Sequence, residues 1–182
     1  LDVRGRAVPV MGLLGPDGRP GLALDPGERF RVDLVNDLAE PTIIHWHGQI
    51  PPNAQDGVPD NPLPALAPGE ARSFDFAARP GTHWMHSHLA LQEMALLAAP
   101  LIVRRAQELA EDRQEVVMFL HDLSFDPPEQ VLARLGIGEP EGAAEGMGGM
   151  AMGGMEMGGM AGMEPGEPME VDVNDIAFDA YL

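Results

Sequence analysis

In the stretch ERFRVDLVND, residues 28–37, apolar Phe30, Val32 and Leu34 alternate with Arg29, Arg31 and Asp33. Successive side chains of a strand point to opposite faces, so this pattern buries one clean face when the chain is extended. A helix would scatter the same residues around its circumference. A half-buried strand needs neighbours beside it and an apolar layer over it. The segments TIIHWHG, ARSFDFAA, THWMHSH and APLIVRR supply candidates, and the turn sequences GPDGRPG, DPGE and APGE punctuate them. We therefore expect an all-β domain over residues 1–106, a sandwich or small barrel, with a linker at 107–114. The helix expected is PEQVLARLG, from Pro128 to its stop at Gly136.

A second unit is expected over residues 115–182. EVVMFLHDLSF reads as a buried strand and MEVDVNDIAFDAYL as another. Between them lies GMGGMAMGGMEMGGMAGME, where nearly every position that is not Met is Gly. Such a tract cannot build a packed core, and disorder is expected over about 143–168. The chain carries 11 basic residues, all arginine, against 29 acidic ones, a formal charge of −18. That balance argues against nucleic acid and against an anionic membrane surface, both of which need a cationic face. No run approaches 18 apolar residues, so no membrane-spanning helix is expected. The chain opens at Leu1 without a basic-plus-apolar leader, as a processed or trimmed polypeptide would. With no cysteine there is neither a disulfide framework nor a thiolate site, so a bound metal must use His, Met or carboxylate.

Four of the six histidines form two His-x-His pairs, His45 with His47 and His86 with His88, each beside a tryptophan. Random placement would give roughly 0.2 such pairs. In a strand the two members of a pair point the same way, with Cα atoms roughly 6.6 Å apart, while Trp46 points to the opposite face. Two such strands side by side would give four convergent imidazoles, a donor set that suits Zn, Cu, Fe or Ni. His83 has the wrong parity to join His86 and His88, and His121 has no partner at ligand spacing, so both stay outside the expected site. HSHLALQE, with Glu93 five residues after His88, resembles the first cupin motif. Pro100 stands where that pattern wants a later glycine, and HWHG would be left unexplained.

Taken in order, HWHG, DGVPD, APGEARSFDF, PGTHWMHSH and APLIV resemble the N-terminal cupredoxin domain of the multicopper oxidase family, over residues from about 20 to 104. The resemblance implies a cupredoxin-like Greek-key β-sandwich, with residues 115–182 opening an incomplete second cupredoxin-like unit. It implies half of a trinuclear copper cluster: His45 on the type 2 copper, His47 and His86 sharing one type 3 copper, and His88 on the other. Asp56, which opens DGVP, matches an acidic position linked to proton delivery, although Asp56 and Gly57 also make an ordinary turn signal. The remaining cluster ligands and the type 1 copper would come from a C-terminal cupredoxin domain with a His-Cys-His motif, absent from these 182 residues. The parent reaction implied is one-electron oxidation of a reducing substrate, Cu(I) or a phenol, coupled to reduction of O2 to water. The chain alone is expected to be inactive. Thioethers favour Cu(I), and Met147, Met150, Met152, Met155, Met157 and Met160 on a glycine tether form an expected Cu(I) site. A periplasmic or otherwise exported location fits this reading. The alternative is a non-catalytic copper-binding or trafficking module using the same histidines and methionines.

Overall fold

The computed structural model describes residues 1–89, 91–134 and 177–182. In chain order they form β1 (Asp2–Val3), β2 (Arg6–Ala7), β3 (Leu22–Leu24), β4 (Arg29–Val35), β5 (Ile44–His47), β6 (Ala71–Ala77), β7 (Gly81–Ser87), β8 (Ala98–Val103), α1 (Ala106–Leu109), β9 (Asp122–Leu123), α2 (Pro128–Arg134) and β10 (Ala180–Tyr181). By contact the chain divides into Leu1–Phe125 with Phe178–Leu182, and Asp126–Ala177.

The alternating stretch forms β4, burying Phe30 and Leu34 and exposing Arg29, Arg31 and Asp33. Its antiparallel partner β6 aligns Phe76 with Phe30 and Phe74 with Val32, so the aromatic rings share one face. On the other face Arg29 and Arg31 both bind the Asp75 carboxylate. A four-stranded sheet, ordered β3-β8-β7-β5, lies opposite. Its β3–β8 pair is parallel and the other two pairs are antiparallel.

Aromatic contacts join the two sheets. Trp46 of β5, 1% exposed, meets Phe30 at 4.7 Å and Phe74 edge-on at 4.9 Å between ring centroids. Met85, Leu101 and Val103 complete the apolar layer. Side chains of this size dominate core energetics by the area they remove from water. The two sheets do not join into a closed barrel, so the architecture is a β-sandwich. A smaller cluster of Val3, Leu96, Leu123 and Ala180 is built where β9 pairs with β10.

The helix expected from Pro128 is α2, which buries Val131, while its expected stop at Gly136 lies outside the described residues. EVVMFLHDLSF departs from expectation: only Asp122–Leu123 is strand, and Val116, Met118 and Leu120 are 72%, 78% and 73% exposed. An apolar run becomes a strand only where a neighbour offers ladder hydrogen bonds and cover, and among the described residues 115–120 have no strand beside them. Of the last expected strand, Ala180–Tyr181 is observed. The Met/Gly tract, with Met147, Met150, Met152, Met155, Met157 and Met160, lies outside the described residues.

Candidate metal centre

The antiparallel register of β5 and β7 places His45 directly opposite His86, Trp46 opposite Met85, and His47 opposite Trp84. Trp46 and Met85 turn into the core, so strand alternation turns His45, His47 and His86 to the outer face of the sheet. His88 lies one residue beyond β7, where its backbone N–H donates to the Ile43 carbonyl at 3.2 Å. The four rings form one group. His45 lies 5.6, 5.5 and 5.7 Å from His47, His86 and His88 between centroids, and His86 lies 6.2 Å from His88. Trp84 shares this face and stacks on His86 at 4.2 Å.

The ring nitrogens lie close together. His47 Nδ1 and His86 Nε2 face each other at 3.3 Å, and one ligand atom each from His45, His47 and His86 lies within 4.8 Å of the others. His45 Nδ1 is 2.8 Å from the Asp56 carbonyl, which can only accept, so Nδ1 carries the hydrogen and Nε2 keeps a lone pair. His86 repeats the arrangement, with Nδ1 2.9 Å from the Ser87 carbonyl and 3.1 Å from Glu93 Oε2. Burial holds the pKa of His86 below the ordinary histidine range, against the opposing pull of the Ser87 carbonyl and Glu93, and the charges of His45 and His47 add to the lowering. A neutral imidazole is the form that binds metal.

The Asp56 contact depends on Gly57. With φ +77°, Gly57 lies flat on β5, and a Cβ there would stand 1.8 Å from the Ile44 carbonyl oxygen. This close approach lets the turn at Asn53–Gln55 deliver the Asp56 backbone to His45, with the Asp56 carboxylate 3.5 Å from the same Nδ1. His83 faces away, tucked where a Cβ on Gly48 would meet its Nδ1 at 2.4 Å, with its Nε2 3.0 Å from the Arg79 carbonyl. His121 is also separate: its backbone pairs with Leu182 and its ring meets Phe119 edge-on at 4.7 Å.

Two neighbours were not legible as parts of this site. Glu93 was visible only as a carboxylate five residues past His88, yet it contacts the back nitrogen of His86. Gln92 carried no signal, yet its side chain is buried behind both histidine pairs. The clustered imidazoles, with the back nitrogens of His45 and His86 held by carbonyls and carboxylates, fit a borderline metal, copper included.

The sequence pattern described as multicopper oxidase matches residues 6–108. Among curated proteins, a copper resistance protein A homolog of Pseudomonas syringae pv. tomato is 33% identical over 138 residues, 74% of this chain and 23% of that protein. Copper resistance protein A of Escherichia coli is 36% identical over 123 residues, 65% of this chain and 20% of that protein. The chain thus spans a quarter or less of these relatives. Among solved structures, a multi-copper oxidase from Pseudomonas thermotolerans is 34% identical with a TM-score of 0.51, covering 56% of this chain and 26% of that one. A blue copper oxidase from Nitrosomonas europaea is 29% identical with a TM-score of 0.52, covering 58% and 36%.

Proposed function

This chain belongs to the multicopper oxidase family, and on that premise we propose that its sandwich supplies half of a trinuclear copper site to a longer oxidase. In this reading His45 binds the type 2 copper, His47 and His86 share one type 3 copper, and His88 binds the other. The observation that carries the proposal is the approach of His47 Nδ1 and His86 Nε2 to 3.3 Å, two ligand nitrogens brought together from two strands. Copper bound there would supply the one-electron redox chemistry that reduces O2 to water.

The chain's own residues do the positioning. The carbonyls of Asp56 and Ser87 fix the tautomers of His45 and His86, leaving Nε2 of each ring to the metal. The Asp56 carboxylate, 31% exposed and 3.5 Å from His45 Nδ1, stands beside the site where it can orient a water for proton delivery. Four imidazoles cannot complete three copper ions, and no cysteine is present for a type 1 copper. In this reading the remaining ligands come from a C-terminal cupredoxin domain of the parent, while residues 115–182, after a linker at 107–114, open a separate second cupredoxin-like unit. The names of the copper resistance relatives favour copper as the metal that the parent handles; Cu(I) among its reducing substrates and an exported, periplasmic location complete the reading.

Copper analysis after dialysis tests the proposal. Loaded with Cu(II) in air, the chain retains the metal, whereas a variant with His45, His47, His86 and His88 all changed to Ala does not. The chain alone consumes no O2 with phenols or Cu(I). Equal copper in both proteins contradicts the ligand assignment, and sustained O2 consumption contradicts the half-site.

A further inference from the structure

Gln92 is 7% exposed, and both ends of its amide are fully used. Its Oε1 accepts from Thr42 Oγ1 and from Ser87 Oγ, each at 2.7 Å. Its Nε2 donates to Glu40 Oε1 at 2.7 Å and to the Pro41 carbonyl at 2.8 Å. An ionised carboxylate and a carbonyl only accept, so these two partners fix which end of the amide is nitrogen.

The partners belong to the two histidine-bearing segments. Glu40, Pro41 and Thr42 lead into β5, and Ser87 stands between His86 and His88. Ser87 points to the buried side, where its Oγ also accepts the Leu89 N–H at 3.1 Å, while its carbonyl takes the His86 Nδ1 proton at 2.9 Å. Thr42 precedes Ile43, whose carbonyl accepts the His88 N–H. One buried amide therefore bridges both segments from behind, and the adjacent Glu93 reaches His86 Nδ1 from the same turn.

We infer that Gln92 is a positioning residue for the metal centre, setting the spacing of the two histidine pairs through Thr42 and Ser87. The inference rests on the copper reading above. Its geometric basis is that ring placement at His86 and His88 follows the Ser87 backbone they flank. A fully satisfied buried network holds one arrangement, and a broken one leaves donors without acceptors.

The test compares the whole chain with Gln92→Met, which keeps the length but removes all four bonds, and with Ser87→Ala, which removes one link. Cu(II) affinity is measured by competition, with electron paramagnetic resonance of the bound ion and thermal melting on the same samples. Gln92→Met is expected to weaken Cu(II) binding roughly 10- to 100-fold, the range for supports behind ligands, and to spread one copper signal into several. Ser87→Ala shifts both readouts in the same direction by less. Variants that melt earlier yet keep wild-type affinity and spectrum make Gln92 a purely structural residue and overturn the inference. Should Gln92→Met not fold, an unchanged Ser87→Ala overturns it equally. Wild-type chain that takes up no Cu(II) overturns the copper reading itself and this inference with it.

Discussion

Replacing Gly57 by Ala tests whether the Asp56 loop is held on β5 by close backbone approach. Two costs follow from the structure. At φ +77° an L-residue carries the left-handed penalty, about 1–2 kcal/mol. The new Cβ must also open its 1.8 Å approach to the Ile44 carbonyl to at least the 3.0 Å that real Cβ atoms keep. That displacement carries Asp56 off His45 and removes a hydrogen bond worth about 1 kcal/mol. The expected loss is about 2–3 kcal/mol, which with a urea slope of 1–3 kcal/mol/M lowers the unfolding midpoint by about 1 M. Gly18→Ala is the control, because Gly18 has φ +75° with nothing within 4 Å of its Cβ position and so carries only the backbone cost. Urea titration of both variants should show Gly57→Ala well below Gly18→Ala, and copper competition should show weaker binding in Gly57→Ala alone. Equal midpoints and equal copper affinity would refute the account of the loop.

Other outcomes follow from the same geometry. His45→Ala or His88→Ala lowers copper retained after dialysis, whereas His121→Ala leaves it unchanged; equal copper in all three contradicts the ligand set. Burial holds the His121 pKa below its ordinary 6.5, so stability from keeping this ring neutral is complete above pH 6.5 and is lost as pH falls toward its folded value. His121→Asn should flatten that part of the stability profile in urea titrations between about pH 7 and 5, and an unchanged slope counts against it. A peptide spanning Gly146–Glu164 is expected to bind Cu(I) and not Zn under anaerobic competition; no measurable Cu(I) affinity makes the Met tract a plain tether.

Much of the sandwich was legible because its signal is local. Alternation in β4 and β6 specifies which side chains face inward, and Phe30, Phe74 and Phe76 are buried accordingly. The histidine pairs were legible for the same reason, since strand parity alone puts His45 with His47 and His83 away from His86. Register was not. Nothing along the chain says that His45 lies across from His86 rather than from His88, because that is decided by the loops and core on either side. Gln92 and Glu93 were missed because their roles depend on a turn that folds back behind two strands. The EVVMFL run misled because apolarity reports a preference for burial, whereas strand formation needs a partner.

The central claim is that His45, His47, His86 and His88 together make a copper site. Pulsed electron paramagnetic resonance of the chain with one equivalent of Cu(II) reads the imidazoles on the ion directly, through modulation by their remote nitrogens. The account predicts modulation from the paired imidazoles of His47 and His86, reduced in the His47→Ala and His86→Ala variants. A Cu(II) signal without imidazole modulation, or one identical in both variants, would contradict it.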